Sequence, residues 1–99
     1  MKINLNQVIK NFDGTPAMKG DKSFTFREVF VDAVLVEPKE GGNVEKMSRW
    51  TLAKKIRSAK EEIELTVEEA AKLKGLVTES FPILVAGQIA DTIDGVKEE

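Results

Sequence analysis

The stretch from Lys46 to Lys60, KMSRWTLAKKIRSAK, is where residue types and spacing come nearest to a chemistry of recognition. It holds six basic side chains, no acidic one and the only tryptophan of the chain. Lys and Arg neutralise phosphates or acidic protein surfaces, and an indole among them stacks on a base or makes cation–π contacts. Trp and Arg are also enriched among the residues that carry binding energy at protein interfaces. At about 100° per residue on a helix, Lys46, Arg49, Arg57 and Lys60 share one side, with Ala53 between them. Trp50 falls inside that arc, beside Arg57 and Lys54. Val44, Leu52, Ile56 and Ala59 form the opposite, core-facing side, flanked by Met47 and Ser48, and Lys55 points near it so that its stem snorkels. The candidate partner- or nucleic-acid-binding set is therefore Lys46, Arg49, Trp50, Lys54, Arg57 and Lys60. A structural reading competes with this one. A solvated helix face is normally charged, Trp is well buried on average, and Glu61, Glu62, Glu64 or the acidic helix that follows could neutralise the cations.

Other chemistries find little support. The chain has no cysteine and no histidine. Disulfides, zinc–thiolate sites and thiol nucleophiles are excluded, as are triads built on His. Gly14 and Gly41-Gly42 are turn residues outside any phosphate-loop pattern. Asp91 and Asp94 face each other at i, i+3, but two carboxylates are too few for a calcium site, and they read as helix-end charges. Glu68 and Glu69 are explained by the favourable field at a helix N-terminus. The expectation is a protein that is not an enzyme, with no catalytic residues, no metal and no cofactor.

Ninety-nine residues make one domain, 1–99, and the composition of 41% hydrophobic and 32% charged residues is that of an ordinary soluble globule. The net charge of −2 conceals an asymmetry. Residues 1–45 carry −1, residues 46–60 carry +6 and residues 61–99 carry −7. A global nucleic-acid binder is usually basic overall, and here the positive charge is local. The opening MKINLNQVIKNFDG has no apolar signal core, and FPILVAGQIA is too short to span a bilayer. A cytoplasmic location with no membrane partner is expected.

These residues need elements to position them. Lys2-Ile3-Asn4-Leu5 alternates like a short strand. Turn signals at Asp13-Gly14 and Gly20-Asp21 predict an irregular hairpin, with Pro16 at an edge. Residues 1–24 thus form a β-hairpin region. Thr25-Phe-Arg-Glu28 is a capping box, and the apolar spacing Phe26, Val29, Phe30, Ala33, Val34 predicts a helix over 25–36 despite its β-branched residues. EPKEGGN is a loop. Asn43 is expected to cap a helix reaching Ala59. EEIEL reads as short and extended. Thr66-Val-Glu-Glu69 opens a third helix toward Phe81, with Glu68 and Lys72 paired at i, i+4. Pro82 breaks it and sits in the first turn of a fourth helix, which Gly95 stops. Residues 25–95 are the helical region and 96–99 a frayed tail. The fold class is α+β, mostly helical, with about four helices and a small N-terminal hairpin.

The fourth helix is apolar around more than half its circumference. That marks it as central or as a contact in a homo-oligomer, with Val85, Ile89 and Ile93 the candidate oligomer contact and Gly87 a point of close backbone approach.

The order of a DGTP turn, then TFREVFVDAVL, SRWTLAKKI, IELTVEEAAKLKGLV and FPILVAGQI resembles a group of small proteins encoded by tailed bacteriophages and prophages. The functions of that group are uncharacterised, so the resemblance carries no functional residues to this chain. It implies a viral or prophage accessory protein at work in a bacterial cytoplasm. Together with the basic helix, it points to protein–protein interaction, with the chain itself, a virion-assembly component or a host factor as partner. A small nucleic-acid-binding protein using the 46–60 helix is the alternative.

Overall fold

In the computed structural model, which describes residues 1–95, strand β1 (Lys2–Asn4) does not join a hairpin with the segment that follows. It pairs antiparallel with β4 (Glu62–Glu64), in a register that sets Ile3 opposite Ile63. The alternation explains the pairing. Ile3 on β1 and Ile63 on β4 are buried, as are Leu5 and Leu65 just past the strand ends, while Lys2, Asn4, Glu62 and Glu64 face water. The Leu5 amide donates to the Glu61 carbonyl at 2.7 Å, and the Leu65 amide donates to the Met1 carbonyl at 2.7 Å.

The N-terminal hairpin is β2 (Met18–Lys19) with β3 (Lys22–Ser23), turned at Gly20-Asp21 as expected. The Asp13-Gly14 turn also forms. The Asp13 carboxylate accepts the Thr15 amide at 3.0 Å and its hydroxyl at 2.7 Å, which holds the Asp13 carboxyl below its usual pKa.

Helix α1 (Phe26–Val34) starts where the sequence predicts, but only half of the capping box forms: the Thr25 hydroxyl accepts the Glu28 amide at 3.5 Å, while the Glu28 carboxylate lies 3.7 Å from Lys19 Nζ and does not return a bond to the Thr25 amide. Its buried residues are Phe26, Val29, Phe30, Ala33 and Val34, the helical spacing read from the sequence. Burial of five side chains on one face outweighs the weak β preference of its valines. The helix ends at Val34 rather than Val36, with Leu35 at the C-cap.

Helix α2 (Gly42–Ser58) packs on α1, and α3 (Val67–Ser80) packs on α1 and on α4 (Ile83–Asp94). The α3 capping box is complete: the Thr66 hydroxyl accepts the Glu69 amide at 3.1 Å and the Glu69 carboxylate accepts the Thr66 amide at 2.9 Å. Pro82 is the N-cap of α4 and not a residue of its first turn, and Gly95 closes α4 in the left-handed conformation at φ +73°. The expected fraying of 96–99 lies outside the described residues.

Of the two readings open for α4, central helix or contact between copies, the packing matches the central one. Ile89 is fully buried and Ile93 nearly so, while Val85 is half-buried against the same core. These residues close the core beneath α3, so the apolar surface of Ile89 and Ile93 is spent within the chain and little of either is left for a contact between copies. Gly87 makes no close approach, because a Cβ built there would meet nothing within 4 Å. The exposed apolar residues of α4 are Ile83 and Leu84 at its start.

Candidate interaction surface on helix α2

The surface begins with the turn that launches α2. Gly41 and Gly42 adopt φ values of +93° and +55°, which a Cβ disfavours, and this reversal lets the chain fold back along α1. Gly41 is the N-cap, with no side-chain cap, so Asn43 is not the cap that the sequence predicts. Asn43 lies exposed in the first turn, since the glycine pair starts the helix before it.

Glu45 then locks the helix to its neighbours. Its carboxylate accepts Arg49 Nε at 2.6 Å and Lys72 Nζ of α3 at 2.7 Å. Arg49 also donates to the Val36 carbonyl at 2.8 Å, which ties α2 to the chain leaving α1. The two cationic donors hold the Glu45 carboxyl below the usual carboxylate range. Lys72 is thereby drawn to α2 and not to Glu68, the partner expected within its own helix. Lys55 pairs with Glu69 at 2.8 Å, and this donor together with the Thr66 amide lowers the Glu69 pKa.

The C-terminus of α2 is held by Arg27 of α1. Its guanidinium donates to the carbonyls of Ile56 and Ala59, each at 2.7 Å, and to that of Lys60. A planar, permanently charged donor suits this cluster of carbonyls at the negative end of a helix dipole.

With both ends fixed, the roll of α2 differs from the expected one. Leu52, Ala53 and Ile56 are its buried residues. Ala53, expected among the charges, faces the core, where a small side chain lets the helices approach. Val44, expected in the core, is 83% exposed, and Met47 is exposed as well. The rotation turns Arg49 partly inward and brings Trp50 to the border with α1.

Of the residues singled out by sequence, Lys46, Trp50, Lys54 and Arg57 therefore lie along one exposed strip, at successive helical spacings of four, four and three. Lys60 lies just beyond the helix end. The charges are not equivalent. Lys46 is engaged by Glu37 at 2.6 Å and Arg49 by Glu45. Among the described residues no carboxylate lies within ion-pair distance of Lys54, Arg57 or Lys60. Lys54 Nζ sits 5.9 Å from the centre of the Trp50 ring, within cation–π range.

Trp50 is 46% exposed, and it borders a shallow depression made by Val34, Leu35, Val36, Glu37 and Pro38 with Lys46 and Arg49. Leu35 and Val36 are themselves 56% and 47% exposed. Sequence reasoning missed this pair by assigning them to α1. The helix stops short, and the two side chains leave the core at its exit. Pro38, which discourages helical backbone in the residue before it, was the available signal.

Asp94 pairs with Lys74 at 2.8 Å, so it does not face Asp91 across a shared cation. The described residues contain no cluster of three or more potential metal-binding side chains, and no helix among them is long and apolar enough to cross a membrane. No protein-family model, curated protein or solved structure matches the chain.

Proposed function

We propose that this chain is a non-enzymatic accessory protein of a tailed bacteriophage or prophage, working in the host cytoplasm by binding another protein through the surface around Trp50. The phage assignment rests on the resemblance in residue order described above. The binding assignment rests on one observation: a half-exposed tryptophan beside exposed Leu35 and Val36, rimmed by cations. Tryptophan is among the commonest binding hot spots, and an apolar cluster with a polar rim is the anatomy of a protein interface. The partner is a virion-assembly component, a host factor or a second copy. The burial of Ile89 and Ile93 counts against those two residues as the contact between copies.

The nucleic-acid alternative draws on Lys54, Arg57 and Lys60 beside an indole. It is disfavoured by Glu37, whose carboxylate lines the same depression, and by the commitment of Lys46 and Arg49 to carboxylates. Three remaining cations limit the salt slope for duplex DNA to about −3. The deciding experiment is affinity capture from infected-cell lysate with the wild-type chain and Trp50→Ala, alongside titration with single- and double-stranded DNA and RNA. A protein retained by the wild type and lost by Trp50→Ala supports the proposal. Nucleic-acid binding that weakens as salt rises, with a slope of about −3 and with no protein retained, refutes it.

A further inference from the structure

The chemistry of the partner follows from how apolar and basic groups are distributed along α2. The apolar part, Trp50 with Leu35 and Val36, lies toward the N-terminal half of the exposed strip. Lys54, Arg57 and Lys60, which no carboxylate among the described residues pairs, follow toward its C-terminal end. From Lys46 to Arg57 the strip is about 16 Å long, which matches about three turns of a helix laid along it.

Each half rejects a different partner. Phosphate would meet Glu37 in the depression and gain only a short row of cations. A wholly apolar segment would leave those cations facing a surface that cannot pair with them, a loss of solvation without return. A basic segment would meet like charge along the row. What fits both halves is a segment with a bulky apolar side chain at one end and carboxylates about one and two turns further along.

We infer that the α2 strip is a docking site for an acidic amphipathic segment of another protein, with a Leu- or Phe-like anchor over Trp50, Leu35 and Val36 and carboxylates paired with Lys54, Arg57 and Lys60. This rests on the protein-binding proposal above and narrows it. Electrostatic complementarity sets orientation and speeds encounter, and the apolar anchor supplies retention.

The test uses the full chain and four labelled probes in fluorescence anisotropy. One is a helical peptide of about twelve residues bearing Glu and Leu on one face. A second replaces its Leu residues with Ser, a third replaces its Glu residues with Lys, and the fourth is an oligo-dT of similar length. The Glu/Leu peptide is expected to bind about tenfold more tightly than either altered peptide, and to weaken as salt rises. The exposed double reversal Lys54→Glu/Arg57→Glu is expected to lose about tenfold for that peptide and to gain for the Lys-bearing one. Circular dichroism checks that the variant is folded.

Equal binding of the Ser-substituted peptide overturns the anchor, and equal or tighter binding of the Lys-substituted peptide overturns the charge assignment. Tighter binding of oligo-dT transfers the strip to nucleic acid. Self-association of the free chain that is abolished by Trp50→Ala makes a second copy the occupant and overturns the inference. If none of the peptides binds while a lysate protein still depends on Trp50, the acidic-segment inference fails and the broader protein-binding proposal stands.

Discussion

Replacing Arg27 with Met keeps an aliphatic stem of similar length and removes every side-chain donor. In the native chain that guanidinium satisfies the carbonyls of Ile56, Ala59 and Lys60. The bonds to Ile56 and Ala59 are partly buried, whereas the bond to Lys60 is exposed and water can replace it. A hydrogen bond from a charged donor contributes about 1.5–3 kcal/mol, and a cation at a helix C-terminus a further ~0.5 kcal/mol. Some of this returns when water reaches the freed carbonyls, so a loss of about 2–4 kcal/mol is expected. For a domain of this size that lowers Tm by about 10–25 °C. The Arg27 amide also donates to the Leu5 carbonyl at 3.0 Å, a bond the substitution leaves in place, so the loss is specific to the side chain.

The measurement is urea unfolding followed by Trp50 emission and by circular dichroism. The midpoint should fall with the slope unchanged. Arg27→Lys keeps the charge but cannot fork to several carbonyls, and it should fall between Met and wild type. Hydrogen exchange should rise first over the last turn of α2 and the link into β4. A cost below about 0.5 kcal/mol, or Lys and Met variants that behave alike, would refute the argument that a forked donor holds this junction.

Two glycines should respond in opposite directions. Gly41→Ala forces a Cβ at φ +93° to within 2.6 Å of the Glu45 Cβ and should destabilise by about 1–3 kcal/mol, whereas Gly87→Ala, in open space within a helix, should stabilise by about 0.5–1 kcal/mol; thermal melts measure both. Glu45 and Glu69 have lowered pKa values in the folded chain, so their stabilising contribution is complete above the ordinary carboxylate range and is lost as pH falls through the folded values. Unfolding midpoints should accordingly drop below about pH 4.5, and Glu45→Gln should flatten that dependence while lowering stability near neutrality. Trp50 emission should be intermediate in wavelength and open to acrylamide quenching, and a fully blue-shifted, protected indole would remove the central residue of the proposed surface.

Local chemistry made much of the fold legible. The capping residues Thr25 and Thr66, the turns at Asp13-Gly14 and Gly20-Asp21, the break at Pro82 and the stop at Gly95 act within a few residues of themselves, so spacing alone reveals them. The clustering of cations between Lys46 and Lys60 is likewise a property of the sequence. What only the tertiary structure decided is the roll of each helix and the fate of each charge. A helix wheel for α2 points to an arc through Val44, Leu52, Ile56 and Ala59, but the Glu45–Arg49–Lys72 cluster and the Arg27 clamp hold the helix in the roll that buries Ala53 and exposes Val44. The pairing of β1 with β4, across some sixty residues, leaves no local mark beyond alternation. The surface around Trp50 emerges the same way: the indole was visible in the sequence, but the aliphatic wall beside it exists because α1 ends at Val34 and Arg49 fastens the exiting chain against α2. Sequence determines which side chains are available at short range; long-range packing, which satisfies buried groups first and leaves the remainder at the surface, determines which of them meet a partner.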